Sequence, residues 1–168
     1  MRLRPAGIAE IEALQRIDKA ARARYGSLPG FEFVVQAPAI PAERFDGGET
    51  ILAEAESGAP LGFALLQPLD GLLYLANISV LPERRGHGIG PALLDHAARR
   101  AEALGTGAVT LTTFRLLAWN GPWFRRFGFT AMPDQRIGPG LRAIMDRQAV
   151  SLDPSTRETL WRPVSVVG

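Results

Sequence analysis

The segment Arg84-Arg85-Gly86-His87-Gly88-Ile89-Gly90-Pro91 constrains this chain more than any other. Before it runs Leu72 to Val80, a long apolar stretch of strand character. After it, from about Gly88 to Leu104, Ile89, Leu93, Ala97, Ala101 and Leu104 recur at helical spacing, and Gly105 stands where a C-terminal cap belongs. A glycine-rich turn from strand to helix leaves the first backbone N–H groups of the helix without intrahelical partners. The macrodipole adds partial positive charge at the same end. Glycines let a bulky anion approach the backbone with no Cβ in the way. Arg84 and Arg85 add fixed charge and fork-shaped donors. The segment therefore predicts a diphosphate site.

Two common phosphate loops do not fit. A dinucleotide fingerprint needs Gly-x-Gly-x-x-Gly, and counting from Gly86 places Pro91 at the sixth position. A Walker loop needs Gly-Lys-Ser/Thr, and no such triplet occurs. What remains is Arg-x-x-Gly-x-Gly at Arg85, Gly88 and Gly90.

The flanking elements set the architecture. Arg2 to Arg4 read as a first strand, and Ile8, Ile11, Leu14, Ile17 and Ala21 as an amphipathic helix ended by Gly26 and Pro29-Gly30. Phe31 to Ile40, broken by Pro38, reads as a loop, and Pro41 to Phe45 as a helical turn. Thr50 to Ala55 and Leu61 to Leu66 read as strands, with turns at 57–60 and at Asp70-Gly71. Strands are also predicted at Ala108 to Phe114, Gly128 to Ala131 and Arg157 to Val164, the last an edge because of Pro163. Helices are predicted at Trp119 to Arg126 and Pro139 to Val150. This order predicts an α/β fold of three layers, a mixed parallel and antiparallel sheet flanked by helices. At 168 residues the chain reads as a single domain, 1–168.

Composition narrows the chemistry. The absence of cysteine excludes a thiolate nucleophile, a disulfide framework and a Cys-based zinc site, and no metal is expected. Net charge is +2, but Lys19 is the only lysine and the arginines are scattered. A nucleic-acid binder shows a clustered basic stripe instead, so the expectation is no nucleic acid and an anionic small ligand. No apolar stretch approaches the roughly 18 residues of a membrane span, and the N-terminus lacks a signal core. A cytoplasmic protein, monomeric or homodimeric and without a membrane partner, is the expectation.

With these residues in hand, the chain resembles the GNAT family of N-acetyltransferases. Arg85 to Gly90 resembles that family's pyrophosphate loop, and Leu75 to Val80 its central strand. A second block, Leu111-Thr112-Thr113-Phe114, then Trp119-Asn120-Gly121-Pro122-Trp123-Phe124, then Phe127-Gly128-Phe129, resembles the next strand, the asparagine-bearing helix and the closing Gly-Phe. The resemblance runs from about Leu61 to Ala131. It implies a GNAT-like acyl-CoA N-acyltransferase fold and transfer of an acetyl group from acetyl-CoA, as cosubstrate, to a small-molecule or peptide amine. It further implies that the backbone of Ile78, Ser79 and Val80 pairs with the pantetheine arm. Arg85, Gly86, His87, Gly88, Ile89 and Gly90 hold the pyrophosphate, and Asn120 and Phe124 lie along the cofactor arm. His87 itself is expected to be solvated, and His96 structural or exposed.

The family's proton-transfer residues are missing. Its usual tyrosine is Phe124 here, and its usual glutamates are Ala76 and Asn77. Tyr74, placed by alternation on the face of Ala76 and Ile78, is the candidate catalytic residue, set against a plain packing role. Water and the substrate's own protons are a second route, because a thiol of pKa about 8.5 leaves without much help. A non-catalytic acyl-CoA-binding or sensing module is the alternative. Phe31, Phe33, Trp123 and Phe124 are expected either to line an acceptor pocket or to be ordinary core, with acceptor choice set by the segments Tyr25 to Phe45 and Met132 to Pro154.

Overall fold

The computed structural model describes residues 1–166. The strands are β1 (Arg2–Pro5), β2 (Glu49–Glu54), β3 (Pro60–Leu69), β4 (Leu72–Val80), β5 (Ala108–Phe114), β6 (Thr130–Ala131) and β7 (Arg157–Pro163). The helices are α1 (Ile11–Arg22), α2 (Glu32–Gln36), α3 (Ile89–Leu104), α4 (Gly121–Arg125) and α5 (Pro139–Gln148). The strands form one mixed sheet in the order β1-β2-β3-β4-β5-β7-β6, with helices flanking it. The chain divides into two compact units, Met1–Leu66 with Ala76–Leu93, and Gln67–Leu75 with Leu94–Gly168.

In the first unit, β1 and β2 pair antiparallel from Arg2↔Glu54 to Pro5↔Ile51, and β2 pairs antiparallel with β3. α1 lays Leu14 and Ile17 into a core with Ile40, Phe45, Leu52, Phe63 and Leu65. β1 is tied down by charge as well as by its ladder. Arg4 Nε donates to Glu54 Oε2 at 2.8 Å and Arg4 Nη2 to Glu10 Oε1 at 2.6 Å, and Arg2 also holds Glu54. Arg4, together with the Gly7 N–H, pulls the Glu10 carboxyl down to about 2, and Arg2 and Arg4 hold that of Glu54 below its ordinary value. Gly62 matters by absence of bulk. A Cβ there would sit 2.7 Å from the Ser79 carbonyl oxygen and 3.2 Å from Val80, so only glycine lets β3 run this close to the end of β4.

In the second unit, β5 pairs antiparallel with β7 along its whole length, from Ala108↔Pro163 to Phe114↔Arg157. β4 pairs parallel with β5 at Leu73↔Val109 and Tyr74↔Thr110. Val109, Leu111, Phe129, Leu141 and Leu160 are fully buried. Asp70 and Gly71 both have positive φ, 53° and 75°, which is the type I′ geometry that joins two twisted strands. Asp70 does a second job. Its Oδ1 and Oδ2 accept from Gly140 N and Leu141 N, each at 2.8 Å, and so cap α5.

Three expectations need correction. Phe31 to Ile40 is not all loop, because α2 occupies Glu32–Gln36. β7 is not an edge strand: β6 lies outside it. Pro163 is tolerated because β6 pairs only with Leu160 and Trp161, so no outer strand calls on the nitrogen of residue 163. Leu104 belongs to the periodic face of α3, but its side chain is exposed at the helix's final turn.

Candidate functional site

The turn between β4 and α3 has the character its sequence predicts. Pro82–Arg84 form a single 3₁₀ turn, and α3 starts at Ile89. Gly86 and Gly88 both have φ of +78°, a left-handed conformation that side-chain-bearing residues rarely adopt. A Cβ built on either would meet nothing within 4 Å, so the turn opens on free space. Gly86, His87 and Gly88 are exposed, while Ile89 and Gly90 are buried as α3 begins. Alternating left-handed glycines turn successive N–H groups toward one side, the concave arrangement that takes an anion. An open cradle of this kind fits a diphosphate, whereas a turn packed against protein would not.

The neighbouring side chains divide the work. Arg85 Nη2 donates to the Ala21 carbonyl at 3.0 Å, so this guanidinium anchors the turn to the end of α1 and satisfies a terminal carbonyl there. Arg84 is exposed. His87 is exposed and places Nδ1 3.0 Å from the Arg85 carbonyl oxygen, as expected of a solvated turn residue.

The central strand carries a polar group that the sequence gives no sign of. Asp18, on α1, is only 3% exposed. Its Oδ1 accepts from Asn77 Nδ2 at 3.2 Å and from Ser79 Oγ at 3.3 Å. Ser79 Oγ also lies 2.8 Å from Asn77 Oδ1. Asp18 Oδ2 stands 3.0 Å from Arg22 Nε, at an angle outside hydrogen-bond alignment, so this pair is held by charge. Arg22 Nη1 then donates to the carbonyls of Val34 at 2.8 Å and Ala37 at 2.9 Å. One buried carboxylate thus links α1, two side chains of β4 and, through Arg22, the α2 segment. Asn77 is occupied structurally rather than offered as a base. Asn77 and Ser79, two apart on β4, both reach Asp18 as strand alternation requires, and Ala76 packs against the cluster that includes Leu14 and Ile17.

The remaining predicted residues belong to the second unit and are described there. Tyr74 is buried on β4, and its hydroxyl has no hydrogen-bond partner among the described residues. Asn120 precedes α4, and its Oδ1 accepts from Thr113 Oγ1 at 2.8 Å. Phe124 is 6% exposed and stacks edge-on with Phe129 at 5.6 Å and Trp123 at 5.0 Å. In the first unit, Phe31 packs with Phe33 at 6.1 Å and with Tyr25 at 6.3 Å, and Phe33 is exposed.

A sequence model of the acetyltransferase (GNAT) domain matches residues 46–131, about half of the chain, and takes in the whole glycine turn and the Asn120 block. The chain belongs to the GNAT acetyltransferase family. Membership makes it an enzyme, an N-acetyltransferase that uses an acyl-CoA donor. Solved structures agree on the fold. A GNAT-family acetyltransferase from Staphylococcus aureus Mu50 superposes with a TM-score of 0.71 at 16% identity, covering 98% of this chain and 99% of that one. The ribosomal-protein-S18-alanine N-acetyltransferase of Escherichia coli gives 0.68 at 16% identity, with 99% and 96% covered. The PaiA N-acetyltransferase of Thermoplasma acidophilum, solved with coenzyme A, gives 0.70 at 14% identity, with 96% and 98% covered. Among the described residues no group of three or more His, Cys, Asp or Glu side chains is placed to hold a metal, and no helix is long and apolar enough to cross a membrane.

Proposed function

We propose that this GNAT protein transfers the acetyl group of acetyl-CoA to an amine by direct attack, with the diphosphate held by the turn Arg85 to Gly90. The open pair of left-handed glycines, Gly86 and Gly88, between β4 and α3 carries this reading. In it the N–H groups of Gly86 to Gly90 and the start of α3 take the diphosphate, and the backbone of Ile78, Ser79 and Val80 takes the pantetheine arm. That assignment uses backbone and leaves the Ser79 side chain in its bond to Asp18. Asn120, held to Thr113 through Oδ1, lies along the arm near its sulfur end. Phe124 supplies only apolar surface there.

The reaction balances simply. The neutral amine nitrogen attacks the thioester carbonyl carbon, the C–S bond breaks, and coenzyme leaves as thiolate. An alkylammonium with a pKa of about 10.4 must lose a proton first. Neither Asn77 nor Phe124 exchanges protons at neutral pH, so water takes the ammonium proton and, once the C–N bond has formed, the second proton that the nitrogen sheds on becoming an amide. Tyr74, buried on β4, is the residue we assign to protonate the thiolate, and its phenolate regains a proton from water. A positioned acid contributes about 10²- to 10⁴-fold, and a thiolate also leaves unaided. Tyr74→Phe is therefore expected to slow turnover by no more than about 10²-fold.

The test is release of free thiol from acetyl-CoA in the presence of an amine panel spanning polyamines, aminoglycosides, lysine peptides and peptide N-termini. Release above the hydrolysis blank with at least one amine class is expected. Tight coenzyme binding with no release from any class would instead support a binding or sensing module, the reading that Phe124 and Asn77 favour.

A further inference from the structure

We propose that Asn77 receives the attacking amine, and that Asp18 on α1 is its positioning residue. This deepens the acetyl-transfer reading and rests on it. In that reading the diphosphate lies on the turn after β4, and the arm runs back along Val80, Ser79 and Ile78. A strand advances about 3.3 Å per residue, so each step back from Val80 comes closer to the thioester, and the next side chain past Ile78 is that of Asn77. β4 is fourth in a sheet of seven strands, yet Ala76, Asn77 and Ile78 are half-buried in succession, between buried residues 73–75 and buried Ser79. The strand is thus accessible to a small molecule at the level the thioester reaches.

An asparagine amide has two N–H donors and two acceptor lone pairs. The buried network uses one of each: Nδ2 donates to Asp18 Oδ1 at 3.2 Å, and Oδ1 lies 2.8 Å from Ser79 Oγ and accepts from it. One lone pair and one N–H are left on a half-buried side chain. The lone pair suits the amine. A neutral amine that donates one N–H to Oδ1 keeps its own lone pair free for the carbonyl carbon, whereas an N–H aimed at its nitrogen would occupy that lone pair. Asp18 decides which edge of the amide is offered. A carboxylate accepts and does not donate, so Asp18 takes the Nδ2 edge and leaves Oδ1 to Ser79 and the amine. Asp18 cannot turn away, because its Oδ2 stands 3.0 Å from Arg22 Nε and Arg22 is itself fixed on the carbonyls of Val34 and Ala37.

The class of acceptor follows. The nitrogen of a primary amine sheds one proton to water on becoming an amide and keeps one N–H, which stays on Asn77 Oδ1 throughout. A secondary amine has only the N–H that must leave. The site therefore selects primary amines.

Thiol release from acetyl-CoA, with spermidine, kanamycin, Nα-acetyl-lysine and alanine amide as acceptors, tests this in the full chain, alongside calorimetry with CoA and denaturant unfolding. Asn77→Leu keeps the size and removes the polar edge. Its kcat/KM for the amine is expected to fall by about tenfold or more, while CoA affinity stays within threefold. Asp18→Asn gives its oxygen to Arg22 and its N–H to Asn77, which must turn its own oxygen inward, so the same loss is expected. Asp18→Asn combined with Asn77→Asp puts an acceptor oxygen back toward the amine and should return kcat/KM to within threefold of wild type. The N-methyl derivative of each amine turned over should react at least tenfold more slowly. A purely structural role predicts instead that rate, CoA affinity and unfolding midpoint fall together, and that result overturns the proposal. Unchanged amine kcat/KM in folded Asn77→Leu overturns it. Should that variant fail to fold, a folded double variant as slow as Asp18→Asn does so. Equal rates with the N-methyl amines overturn the acceptor class. Wild-type protein that releases no thiol with any of the amines overturns the acetyl-transfer reading itself.

Discussion

Replacing Gly88 with alanine separates what the turn does for the fold from what it does for the ligand. The backbone at Gly88 has φ of +78°, and a Cβ there meets nothing within 4 Å. The fold therefore pays only the left-handed penalty of an L residue, about 1 kcal/mol, with no clash added. In a chain of this size that lowers the melting temperature by about 2–4 °C. The ligand loses more. The methyl group projects into the space assigned to the anion and displaces a charge-assisted hydrogen bond, worth about 1.5–3 kcal/mol. Affinity for CoA should fall about 10- to 150-fold. Thermal unfolding of the ligand-free protein and calorimetry with CoA give the two numbers independently. His87→Ala is the control, because the exposed imidazole touches only the Arg85 carbonyl, and its CoA affinity should stay within tenfold. The reasoning is refuted if Gly88→Ala binds CoA within threefold of wild type, or if it melts more than about 8 °C lower.

Three further perturbations probe the supports of the site. Asp18→Ala leaves Arg22 poorly solvated and without its carboxylate, and should cost about 3–5 kcal/mol in denaturant unfolding; a loss under 1 kcal/mol would mean the buried network is idle. Asp70→Gly keeps the left-handed turn but removes both caps on α5, so a loss of about 1 kcal/mol is expected, and a neutral result would contradict the capping role. The carboxyls of Glu10 and Glu54 are depressed in the fold, that of Glu10 from 4.5 to about 2. Their stabilisation is therefore complete above about pH 4.5 and fades as pH falls from there toward 2. Melting temperature should drop over that range, and the drop should flatten in Glu10→Gln with Glu54→Gln; an unchanged slope would exclude the charge anchor of β1.

Much of this was legible in the sequence because it is written locally. The strand Ala108–Phe114 and the turn Asp70-Gly71 follow from residue pattern and turn chemistry alone. The glycine turn and the start of α3 are legible for the same reason. α2 was not, because five residues ahead of Pro38 carry too little periodicity, and what holds them is Arg22, reaching from α1 to Val34 and Ala37. The Asp18 network was equally invisible. It joins residues about sixty positions apart, and a single aspartate on a helix reads as a solvated face.

The central claim is that the backbone amides of the β4–α3 turn grip the coenzyme's diphosphate. Amide chemical shifts read residue by residue during titration with CoA address it directly. Large, saturable shifts at Gly86, Gly88 and Gly90, absent with pantetheine, are the predicted result. Saturable binding of CoA that leaves those three amides where they were would contradict it.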